Sequence, residues 1–162
     1  MDPKVWLYIH LAGVLGLLGS HGASMTVLFK LRKERDRERI ETFLQLSGSA
    51  VVPLYVSIAL LLIGGIGGLF AGSPAYSLSQ VWIWGALVTL VASLVVMWAI
   101  ATPYYKRVRE ALAVRPSGVP RVSDEELDTL LRSGKSTVIA VVGFAALALI
   151  LWMMIAKPGF GV

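Results

Sequence analysis

Four long apolar blocks alternate with short polar intervals along the chain. They cover Val5–Phe29, Phe43–Ala71, Val81–Pro103 and Ser136–Ala156. Each reaches the roughly 20 residues that an α-helix needs to cross the hydrocarbon core at 1.5 Å per residue. The pattern therefore predicts an all-α fold: an up-and-down bundle of four transmembrane helices forming one membrane domain over residues 1–162. The first block is too long for a signal-peptide core, and a run of six cations follows it, so it reads as a retained helix. The second is longer than a bilayer requires, and Pro53 inside it predicts a kink.

The polar intervals have structure of their own. Lys30–Glu41 mixes charges at helical spacing and reads as a solvated helix extension. The connector 106–135 opens with Pro116, Ser117, Gly118 and Pro120. Ser123-Asp124-Glu125-Glu126 then forms a capping box, Leu127, Leu130 and Leu131 share one face, and Gly134 can end the helix. A short amphipathic helix over about 123–133 is expected there, on the membrane surface or under the bundle.

Composition sharpens the assignment. Apolar residues make up 56% of the chain and charged residues 15%, against about a quarter charged in soluble domains. Mean hydropathy is +0.73. No residue from 42 to 105 carries a charge. A soluble enzyme, a disordered chain and a nucleic-acid binder are excluded, and the lipid bilayer is the partner the sequence requires. The absence of cysteine rules out disulfides, thiolate metal sites and cysteine nucleophiles. Of the fifteen lysines and arginines, thirteen lie in the first and third intervals and only Lys4 and Lys157 on the other side. That asymmetry places both intervals in the cytoplasm of a bacterial inner membrane, with both termini and the Gly72–Gln80 turn outside. Trp6, Tyr8, Tyr76, Trp82, Trp84 and Trp152 would mark the outer interface, with Tyr104 and Tyr105 at the inner one.

Within the spans the strongly ionisable side chains are His10 and His21. Such residues are costly in hydrocarbon and point to a site. Eleven residues apart, they leave one helix on nearly the same face, roughly 16 Å apart along its axis. Haem b, copper, and a proton or quinone contact are the competing readings, beside hydrogen bonds to a neighbouring helix. With no third histidine, a haem would need methionine, an open position or another chain. Met97 falls near the depth of His21, and Met153 and Met154 near that of His10. If a metal is bound, His10 ranks first; His21 lies among Ser20, Ser24, Ser47 and Ser49, whose hydroxyls can satisfy an imidazole. Small residues recur at packing intervals, with Gly16, Ser20 and Ser24 on the first helix and Gly64 and Gly68 on the second.

The blocks Ile9-His10-Leu11-Ala12-Gly13-Val14, Gly19-Ser20-His21-Gly22-Ala23-Ser24-Met25 and Leu31-Arg32-Lys33-Glu34-Arg35-Asp36 carry a resemblance. So do Leu46-Ser47-Gly48, Gly64-Gly65, Trp82-Ile83-Trp84 and Pro103-Tyr104-Tyr105. Together they resemble an uncharacterised family of bacterial four-helix integral membrane proteins, usually labelled a domain of unknown function. That resemblance implies an inner-membrane bundle with both termini outside and assigns no activity. More distantly, the N-terminal histidine and glycine-rich helix are similar to copper-resistance D-type proteins and to haem-containing four-helix protoporphyrinogen oxidases. In the oxidases a histidine near the start of the first helix is thought to ligate haem, and this would map onto His10. Further histidines and intramembrane charges expected of both groups are missing here. The leading expectation is a non-enzymatic accessory, assembly or scaffold subunit, alone as a homo-oligomer or within a larger membrane complex. The alternative is a haem b or copper redox module at His10 and His21.

Overall fold

The computed structural model describes residues 2–71 and 77–159. Tyr76 and the first part of the Gly72–Gln80 turn lie outside the described residues. Six helices follow one another: α1 (Pro3–Leu31), α2 (Arg37–Ser49), α3 (Val51–Phe70), α4 (Val81–Leu112), α5 (Asp124–Leu131) and α6 (Gly134–Ala156). Four helical runs, Pro3–Leu31, Arg37–Phe70, Val81–Leu112 and Asp124–Ala156, are long and apolar enough to cross a membrane. The fold is thus the all-α, four-span bundle.

Local chemistry sets the helix ends. Asp2 caps α1 through the Lys4 N–H at 2.9 Å, with Pro3 at the first helical position, where its missing N–H costs nothing. Asp36 caps α2 through Glu38 N–H at 2.9 Å, so that helix starts six residues before Phe43. Pro53 cannot donate to the Ser49 carbonyl, and its ring crowds that carbonyl. The run breaks one turn earlier, at Ala50. Pro103 does not stop α4, which continues for nine residues to Leu112. Tyr104, Val108 and Ala111 recur on one face and bury there, which offsets the single lost backbone bond. Ser123 and Glu126 close the capping box of α5. Lys157 ends α6 in the left-handed region at φ 43°, its N–H bonded to the Met153 carbonyl.

The helices pack as two antiparallel pairs, α1 with α3 and α4 with α6. A small cluster of Leu17, Ile58, Leu61 and Leu90 joins the pairs at mid-depth. The larger core lies at the basic end, where Leu28, Leu31, Ile40, Leu44, Tyr104, Val108, Leu127, Leu131 and Ile139 pack together. Leu31, Ile40 and Val108 are 0% exposed there, against 8–9% in the mid-depth cluster. Burial tightens where the alternative environment is water, because lipid tails leave apolar side chains nothing to gain by leaving them. The α5 helix sits under the bundle, with Leu127 and Leu131 in this core.

Arg37 ties the basic end together. Its guanidinium donates to Asp124 Oδ1 at 2.9 Å, to the Ala111 carbonyl at 3.2 Å and to the Val122 carbonyl at 2.8 Å. One side chain thereby links the start of α2, the end of α4 and the connector before α5. Arg35 pairs with Asp128, which also receives Arg132 at 3.1 Å. Charge-assisted bonds from a half-buried guanidinium are worth about 1.5–3 kcal/mol. Arg37→Ala should therefore destabilise the protein by about that much in detergent thermal unfolding. Arg39→Ala, which loses only an exposed contact at 4.0 Å to Asp36, should stay within about 0.5 kcal/mol of the parent.

Candidate functional site

The α1–α3 crossing is built on absent side chains. A Cβ added at Gly13 would stand 2.7 Å from the Leu61 Cα and the Ser57 carbonyl oxygen. One added at Gly64 would stand 2.7 Å from the His10 Cα and 2.8 Å from the Trp6 carbonyl. The obstacles are backbone atoms, which cannot rotate away. Each helix thus offers a glycine to the other's main chain, the close approach that small residues permit in membranes. Gly16 accommodates Ser57, whose hydroxyl donates back to the Pro53 carbonyl at 2.7 Å, and Gly67 accommodates the Trp6 ring. Gly68 faces open space, and Ser20 and Ser24 are only half-buried.

His10 lies within this crossing. Its Nδ1 is 2.8 Å from the Leu61 carbonyl oxygen. A carbonyl can only accept, so Nδ1 carries the proton and donates it. The neutral form of the ring is thereby restricted to the tautomer with its proton on Nδ1 and its lone pair on Nε2. Gly65 makes room for the ring: a Cβ there would be 3.3 Å from Nδ1. Gly64, Gly65 and Gly67 are therefore occupied by His10 and Trp6 themselves.

His21 turns toward the other pair. Its ring lies directly on Gly143 of α6, where an added Cβ would collide with Cε1 and Nε2. Phe144 meets it edge-on, with ring centroids 5.9 Å apart. His21 Nε2 is buried without a hydrogen-bond partner among the described residues. This reverses the expected assignment, in which serines satisfied His21. The Ser49 hydroxyl is spent on the Leu46 carbonyl at 2.7 Å. Short hydroxyls on helices readily bond their own preceding carbonyls, and His21 faces α6 rather than α2.

Met153 and Met97 each have packing contacts of their own. Met153 is buried with its sulfur over Gly85 of α4, where a Cβ would come within 2.8 Å. Met97 packs against the basic-end core. The two histidines stand on α1, and these two methionines on α6 and α4. Among the described residues no group of three or more His, Cys, Asp or Glu could hold a metal ion. Gly13, Gly143, Trp6 and Ser57 are the packing residues that spacing alone did not single out. Gly143 had a signal, as the lone glycine in the uncharged run Ser136–Ala156.

The model of a family described as predicted integral membrane protein (DUF2269) matches residues 4–158. No curated protein and no solved structure matches the chain.

Two substitution sets test this packing. Gly13→Leu and Gly64→Leu should each cost more than the about 1–3 kcal/mol of ordinary overpacking, since backbone blocks both. Gly68→Leu should leave detergent thermal stability nearly unchanged. Gly143→Ala should destabilise the parent but be nearly neutral in a His21→Ala background, because the two residues occupy one volume. Additive costs in that double-mutant cycle would refute the contact.

Proposed function

Since the chain belongs to that family of integral membrane proteins, we propose that it is a non-catalytic accessory, assembly or scaffold subunit, self-associating or part of a larger membrane complex. The observation that carries this reading is the use of the small residues. Gly13, Gly64, Gly67 and Gly143 are occupied by main chain, Trp6 or a histidine ring, so the space at these four glycines is consumed by helix contact. The reading extends to a bacterial cytoplasmic membrane with both termini outside, supported by the basic asymmetry of the first and third intervals. Cysteine accessibility tests that orientation. A cysteine at Arg35 should resist an impermeant thiol reagent in intact cells, and one at Lys4 should react.

A second reading, a haem b or copper module, is favoured by one feature. Donation of the His10 Nδ1 proton to a backbone carbonyl is the arrangement that orients a ligating imidazole and raises its basicity. The remaining ligand would be an open position or a group from another chain, and His21 would serve only if its ring left Gly143. Purified protein supplemented with haem discriminates the two. The subunit reading expects no Soret shift. A pigment abolished by His10→Ala but kept in His21→Ala would replace it with the redox module.

A further inference from the structure

The basic end carries more cation than its carboxylates neutralise. Asp124 and Asp128 are taken by Arg37, Arg35 and Arg132. Among the described residues no carboxylate lies within 4.0 Å of Lys30, Arg32, Lys33 or Lys135, all near the points where α1 and α6 leave the apolar zone. Two of these meet at one place. The Arg32 guanidinium donates to the Thr137 hydroxyl at 2.7 Å, which holds the end of α1 against the first turns of α6. That helix begins at Gly134 with no side-chain bond from its N-cap Ser133, has no acid in its first turn, and carries Lys135, exposed, at its second position. Its free N–H groups add partial positive charge at the same spot. Tyr104 of α4 is buried in the adjoining core, its hydroxyl without a hydrogen-bond partner among the described residues. The Ser133 hydroxyl is likewise buried without a partner. Two helices thus bring cations, a hydroxyl and a helix N-terminus together, with no carboxylate in salt-bridge contact with Arg32 or Lys135 among the described residues.

We infer that Arg32, Thr137 and the start of α6 bind the phosphate headgroup of an anionic phospholipid. Charge complementarity selects the anion, and two observations select a lipid as its source. The uncharged runs of α1 and α6 end at Phe29 and begin at Ser136, which puts the patch at headgroup depth. From Thr137 an exposed apolar ridge then runs toward the bilayer centre, through Val141 and Phe144, 60% and 54% exposed. At i, i+4 and i+7 these share one face of α6 and would receive an acyl chain directly below the headgroup.

The intact protein in nanodiscs tests this, with phosphatidylcholine alone or mixed with phosphatidylglycerol. Thermal stability and lipids retained in native mass spectrometry are the readouts. The parent should be stabilised by phosphatidylglycerol and retain it. Arg32→Gln should weaken retention about fivefold, the effect of one basic contact at a charged membrane surface. Thr137→Val, which keeps the charge but releases the guanidinium, should weaken it less, and it carries the test if Arg32→Gln does not fold. Arg115→Gln, an equal charge change in the connector, should have no effect. Equal losses for Arg115→Gln and Arg32→Gln would overturn the site in favour of diffuse attraction. Full stabilisation by inorganic phosphate in phosphatidylcholine discs would overturn the lipid as its source. Neither result would bear on whether the bundle acts as a subunit or a redox module.

Discussion

The distance between α1 and α3 is set by two missing Cβ atoms, and much of the rest follows from it. With Gly13 against the Leu61 and Ser57 backbone and Gly64 against His10 and Trp6, the two main chains approach as closely as helices can. Hydrocarbon gives such a pair no hydrophobic drive to associate, so attraction must come from dense packing and from polar groups that find partners across the interface. Both are present here. The close approach also brings the His10 ring within 2.8 Å of the Leu61 carbonyl, a bond that a methyl group at either glycine would break by prising the helices apart.

The bundle changes its adhesive along its length. In the apolar zone the pairs touch through glycine, a histidine ring and a loose leucine–isoleucine cluster. At the basic end the hydrophobic effect returns because water is the alternative, and the tightest burial of the chain is found there. Ion pairs then fix α5 beneath the helices. Arg37 holds three separate segments, and this anchoring gives the connector a defined position rather than a solvated path.

The two histidines, equivalent by spacing, have different surroundings. His10 belongs to the tight pair and has a carbonyl partner. His21 lies between the pairs, on the one glycine of α6 that faces it, and Nε2 has no partner among the described residues. The first therefore has its Nδ1 proton engaged by a backbone carbonyl. The second acts as a spacer, its shape matched to Gly143.

By itself the sequence determined the class of solvent, the number of spans and the segments that fold locally. Uncharged runs of spanning length admit one solution, since every backbone group in lipid must be bonded within its own helix. The cap of α5 was legible too, because Ser123 and Glu126 act on neighbouring N–H groups. Only the tertiary structure decided which small residues make the crossings. Gly68 repeats at the same interval as Gly64 yet faces open space, while Gly143 shows no repeat and carries the His21 contact. Spacing reports which residues share a face but not which helix that face meets. The partner is chosen by how the helix pairs close around one another, and that choice also set Met153 against Gly85 and His21 against Gly143.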